Sequence, residues 1–139
     1  MQGTFSARII TEEVFNKGNL AAVDEIISAD FTHHDANTRE FSSGPEGYKQ
    51  FIEGYRKAFP DLQISIQQQI AEGDLVVDRW IGSGTHQGEL MGMAPTGKQV
   101  SITGMTIHRI VEGKIMETWN NFDSLSMVQQ LGLFQTHNL

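Results

Sequence analysis

Tyr48-Lys49-Gln50-Phe51-Ile52-Glu53-Gly54-Tyr55-Arg56-Lys57-Ala58-Phe59-Pro60-Asp61-Leu62-Gln63-Ile64-Ser65-Ile66-Gln67-Gln68-Gln69-Ile70 carries the change of period from which the architecture follows. Before Pro60, the residues Tyr48, Phe51, Ile52, Tyr55 and Phe59 recur at helical spacing. After it, Leu62, Ile64, Ile66, Gln68 and Ile70 alternate with Gln63, Ser65, Gln67 and Gln69, the period of a strand with one wet face. Ser43-Gly44-Pro45-Glu46 reads as a capping box, with Pro45 in the first turn, where its missing N–H removes no helical hydrogen bond.

Two more helices precede this one. From about Gly3 to Asn16, Phe5, Ile9, Ile10 and Val14 recur near a 3.6-residue period, and Lys17-Gly18 supplies a cation and a left-handed stop. Asn19 is placed to cap a second helix whose stripe is Leu20, Val23, Ile26 and Ile27. Downstream the reading is strands. Glu72-Gly73-Asp74 turns the chain into a strand from Leu75 to Thr85, followed by a glycine-rich loop from Gln87 to Lys98. Strands from Gln99 to Val111 and from Lys114 to Phe122 meet at Glu112-Gly113, a tight hairpin signal. Leu125 to Leu131 closes the chain as a short helix or turn. Helices followed by antiparallel strands predict an α+β fold. It is a single domain over residues 1–139, with a cone of three N-terminal helices packed on a curved, mainly antiparallel sheet around an interior pocket.

Composition narrows the function classes. A hydrophobic content of 39% with 19% charged residues is that of a chain with a core, which excludes disorder. The formal charge of −7, with no basic stripe, excludes nucleic acid and anionic membrane as partners. The absence of cysteine removes disulfides, thiolate metal sites and thiol nucleophiles. The first residues lack a basic segment followed by an apolar run, and no stretch reaches the roughly 18 apolar residues of a membrane span. The expectation is a cytoplasmic protein.

Several short motifs, in order along the chain, resemble one family. They are Ala29-Asp30-Phe31-Thr32-His33-His34-Asp35, Gly44-Pro45-Glu46-Gly47-Tyr48, Gly84-Thr85-His86-Gln87-Gly88-Glu89, Gly92-Met93-Ala94-Pro95-Thr96-Gly97-Lys98 and Gly113-Lys114-Ile115. Together they are similar to the SnoaL-like polyketide cyclases of the nuclear transport factor 2-like (ketosteroid isomerase-like) superfamily, from about Ile10 to Gly132. The resemblance implies a cone-shaped pocket for a small apolar or aromatic ligand, no metal, no organic cofactor, and a homo-oligomer, with a dimer expected. It also implies an intramolecular aldol condensation on an aromatic polyketide ester, in which a carboxylate removes a proton next to a carbonyl.

One departure bears on that mechanism. The resemblance implies a His seven positions before the hairpin glycine and the catalytic Asp seven after it. Equal spacing about a tight turn sets two such residues opposite each other, about 5 Å apart at Cβ. Counted from Gly113, these positions hold Thr106 and Asn120. An amide donates and accepts hydrogen bonds but cannot carry off a proton. His108 shares the face of Thr106, one pleat nearer the turn and opposite Thr118, and an imidazole titrates near neutrality.

The candidate catalytic residues are therefore His108 and Asn120, and the candidate substrate-binding residues are Thr106, His86, His34 and Trp80. Each has a plainer alternative. His108 could be a hydrogen-bonded strand histidine, Asn120 a buried amide serving backbone groups, and His86 the anchor of the long loop. Trp80 and Trp119 could be plain packing. His33-His34-Asp35 does not read as a metal site, because adjacent residues on extended chain point to opposite sides and no third ligand is spaced to help. Asp78-Arg79 reads as a strand-surface pair, Asp123 as a cap for the closing segment, and His137 as part of a frayed tail. The leading reading is a small-molecule enzyme acting on an apolar carbonyl compound by cofactor-free acid–base chemistry, a polyketide cyclase or an isomerase in type. Its rivals are a non-catalytic binding or carrier domain and an oligomerisation domain whose cavity is filled by its own side chains.

Overall fold

A computed structural model describes residues 2–35 and 44–132. Ser43 of the expected capping box and His137 lie outside the described residues. The fold is α+β, with four helices and a five-stranded, mixed, curved sheet. Helix α1 (Gln2–Ile9) continues as a π-helical turn over Ile10–Phe15. Then come α2 (Ala21–Ile26), β1 (Ile27–Asp35), α3 (Gly44–Ala58), β2 (Gln63–Glu72), β3 (Leu75–Thr85), β4 (Gln99–Val111), β5 (Lys114–Phe122) and α4 (Ser124–Gln130). No helix of the described residues is long and apolar enough to cross a membrane.

The strand order is β1-β5-β4-β3-β2, antiparallel throughout except that β1 runs parallel to β5. Strand β1 corrects the sequence reading, which carried the second helix through Ile27 and took the following residues as its exit. The pattern hid it because the inward residues after Phe31 are His33 and Asp35, so no apolar alternation marks the strand. Asn19 does not cap α2; the N-cap is Leu20, with no side-chain bond. Asp123 does cap α4, its carboxylate accepting from the Ser126 N–H at 3.0 Å.

A second correction concerns β2. Its pairing with β3 shifts between Ile66 and Gln68, so the strand carries an extra residue there. Beyond this bulge the faces exchange. Ile70, expected inside, is 56% exposed, and Gln69, expected outside, turns in toward Asp78. A bulge does this because side chains alternate with period two, and one added residue inverts every later position. The β4–β5 hairpin pairs Val111 with Lys114 across Glu112-Gly113, and a register shift between Arg109 and Ile110 then adds one residue to β5, so the pairing counted from Gly113 is reached only through that bulge. Glu112 and Gly113 both take positive φ, 52° and 78°, and the register sets Thr106 opposite Asn120 and His108 opposite Thr118.

The buried apolar residues form two clusters. One joins Ala7, Ile10, Val14, Val23, Phe31, Tyr48 and Ile52 to the hairpin end of the sheet through Val76, Ile110 and Ile115. The other gathers Ala58, Phe59, Leu90, Val100, Met127 and Leu131 at the far end. Members of both line one cavity.

Candidate active site

The cavity encloses about 890 Å³ of empty space, its open mouth included. Most of the wall is apolar, with Phe15, Phe51, Tyr55, Phe59, Ile102 and Phe122 among its residues. Polar side chains gather on the sheet side, where register aligns them. One rung crosses all five strands as Gln69, Asp78, Thr106, Asn120 and Asp35. The next rung carries Val76, His108, Thr118 and His33.

Two polar groups occupy these rungs. In the first, the Trp80 indole N–H donates to Thr106 Oγ1 at 2.9 Å, the Thr106 hydroxyl donates to Asn120 Oδ1 at 2.7 Å, and Asn120 Nδ2 donates to Asp35 Oδ2 at 3.0 Å. In the second, His108 Nδ1 lies 3.1 Å from Thr118 Oγ1, and His108 Nε2 lies 3.4 Å from Asp78 Oδ2. Both side chains of that pair are buried, at 3% and 2% exposure. Thr106, His108, Asn120 and Trp80 therefore all face the cavity, as their strand positions predict. Burial pushes the phenol of Tyr48, another lining residue, above the ordinary tyrosine range, so it stays neutral at physiological pH.

Other expectations are corrected. His34 sits on the outer face, 44% exposed, 2.6 Å from Glu117 and stacked on Trp119. Its hydrogen bond is the largest cause holding the Glu117 carboxyl below its usual range. The inward neighbours are His33 and Asp35, as alternation along extended chain requires. His86 does not line the cavity. It is fully buried, with Nδ1 accepting from the Thr96 N–H at 3.2 Å and its backbone paired with Lys98 and Gly97, so it anchors the 87–98 loop. Asp78 is no surface partner of Arg79. It points into the cavity while Arg79 points out, donating to Gln68 at 3.3 Å. Alternation along β3 could have found it, since Asp78 shares the parity of Val76 and Trp80. Among the described residues no three His, Asp or Glu side chains converge as a metal site would require.

Residues 6–131 match the family model described as SnoaL-like polyketide cyclase. The chain is 30% identical over 119 residues to nogalonic acid methyl ester cyclase of Streptomyces nogalater, covering 85% of this chain and 89% of the relative. It is 29% identical over 126 residues to aklanonic acid methyl ester cyclase AcmA of Streptomyces galilaeus, covering 86% and 84%. Among solved structures, IdmH of Streptomyces antibioticus superposes with a TM-score of 0.81 at 32% identity, covering 95% of this chain and 99% of that one. A protein of Jannaschia sp. CCS1 reaches a TM-score of 0.87 at 20% identity, covering 96% and 94%, a likeness of fold.

Proposed function

The chain belongs to the SnoaL-like polyketide cyclase family, and from that premise we propose that it is an enzyme of small, largely apolar carbonyl compounds working by cofactor-independent acid–base chemistry. The observation that supports this most is His108, buried beside a carboxylate on the polar wall of an otherwise apolar cavity. An imidazole so placed is in reach of a substrate proton, and a largely apolar wall strengthens each polar interaction with developing charge. Asn120, whose amide has a second N–H beyond the one given to Asp35, is the donor for a substrate oxygen, and Thr106, donating to Asn120 Oδ1, orients it. The methyl esters named for the two cyclase relatives define the substrates to test first.

Incubation with nogalonic acid methyl ester is expected to give a cyclised isomer of unchanged mass, followed by chromatography and mass spectrometry. His108→Gln should lower kcat/KM by about 10²- to 10³-fold, the usual contribution of a positioned acid–base group. Full turnover in that variant would refute the role. The rival, a binding or carrier domain, draws on one observation: both polar atoms of Asn120 are already engaged, with Thr106 and Asp35. It predicts a ligand-induced rise in Tm with no product.

The homo-oligomer is also a proposal. Met105, Ile107 and Trp119 are exposed on the outer sheet face, where Ile107 and Trp119 are cross-strand partners. Such a patch is what a second copy would cover. Light scattering is expected to give twice the chain mass, and Ile107→Lys to return the monomer; a wild-type monomer at high concentration would overturn the proposal.

A further inference from the structure

Asp78 is buried, lines the cavity and is only half satisfied. Its Oδ1 accepts from Gln69 Nε2 at 2.9 Å. Its Oδ2 has no hydrogen-bond partner among the described residues and lies 3.4 Å from His108 Nε2. A buried carboxylate oxygen without a donor is costly to desolvate, and a group left so in a cavity wall is a candidate for chemistry. The support around it is specific. Gln69 reaches Asp78 only because the β2 bulge inverts the strand's faces; it also extends to the Thr4 carbonyl of α1 at 3.4 Å. Bulges beside active sites commonly re-aim a side chain in this way.

We propose that Asp78 is the catalytic carboxylate of this chain, the base having moved along one rung, two strands from Asn120, with His108 as its proton partner and Gln69 as a positioning residue. This rests on the enzymatic reading above. In the reaction, Asp78 Oδ2 takes a proton from the carbon next to a substrate carbonyl. The C–H bonding pair becomes an enolate whose oxygen faces the Asn120 amide, held in place by Thr106. The enolate carbon forms a C–C bond to a second carbonyl of the same molecule. That carbonyl's oxygen takes the proton back from Asp78 through His108. The sum is an isomerisation, with nothing oxidised or reduced.

The test follows deuterium wash-in from D₂O at the acidic carbon of nogalonic acid methyl ester, beside the ligand-induced Tm shift. Asp78→Asn keeps the side chain's shape and should slow exchange by at least about 10³-fold while the ligand still raises Tm. Gln69→Glu sets a second carboxylate against Asp78 Oδ1 and should move the acid limb of the exchange–pH profile upward, because paired carboxylates resist double ionisation. The other titratable groups on this polar wall and cavity are His108 on β4, His33 and Asp35 on β1, and Tyr48 and Tyr55 on α3. None of these is altered by Gln69→Glu. Near-wild-type exchange in Asp78→Asn, or an unmoved acid limb in Gln69→Glu, overturns the assignment; the second decides alone if the first variant does not fold. Exchange lost in His108→Gln but kept in Asp78→Asn overturns this assignment and leaves the enzymatic reading standing. Wild-type protein that neither exchanges nor converts the ester overturns both.

Discussion

Gly104→Ala is expected to reduce turnover by at least about 100-fold, on the rule that displacements of about 1 Å in a positioned site have effects of that size. Gly104 lies on β4 directly opposite Trp80, and a Cβ built there would overlap the indole, 2.6 Å from Cε2 and Cη2. The ring cannot stay where it is. Moving it breaks the indole hydrogen bond to Thr106, the link that fixes Thr106 toward Asn120. The stability loss should be smaller, about 1–3 kcal/mol for an overpacked site. Adding Trp80→Leu should return much of that stability without returning activity, because room is restored and the donor is not. Tryptophan fluorescence and kcat/KM measured on both variants separate the two effects. A Gly104→Ala protein with wild-type kinetics would show that the indole does not organise the polar wall.

The largest effect on stability is expected from Gly88→Ala. A methyl group there would lie inside contact distance of the Lys57 carbonyl oxygen, 2.8 Å from its carbon and 3.2 Å from Ala58 Cα. These are backbone atoms and cannot swing aside. The Gln87 and Gly88 N–H groups both donate to the Ala58 carbonyl, at 2.9 and 3.1 Å, so the same change withdraws the partners of the α3 C-terminus. Ala58, Phe59 and His86 are buried in this region. A loss of about 3 kcal/mol or more follows from overpacking plus two weakened hydrogen bonds. Chemical denaturation should show a lower midpoint, and a wild-type midpoint would mean the 87–98 loop does not dock on α3.

Features set by neighbours along the chain could be read from the sequence. The turn at Glu112-Gly113 is such a feature, but its Val111–Lys114 pairing alone would set Thr106 opposite Trp119, and the count lands on Asn120 because β5 carries an extra residue beside the Arg109–Ile110 step. The helical stripe of α3 and the Asp123 cap are equally local. Strand β1 was not legible, because its inward polar residues erase the alternation that betrays a strand. Nor was the β2 bulge, since nothing in three consecutive glutamines says which of them is the extra residue.

By itself, then, the sequence determined the α+β class and the antiparallel run of strands, because turns and periods act over short distances. Only the tertiary structure decided which carboxylate meets His108, that Gln69 rather than Ile70 turns inward, and that His34 and His86 serve the outer face and a loop. Those contacts join strands, or sheet and loop, through register and packing, and a register shift of one residue reverses every one of them.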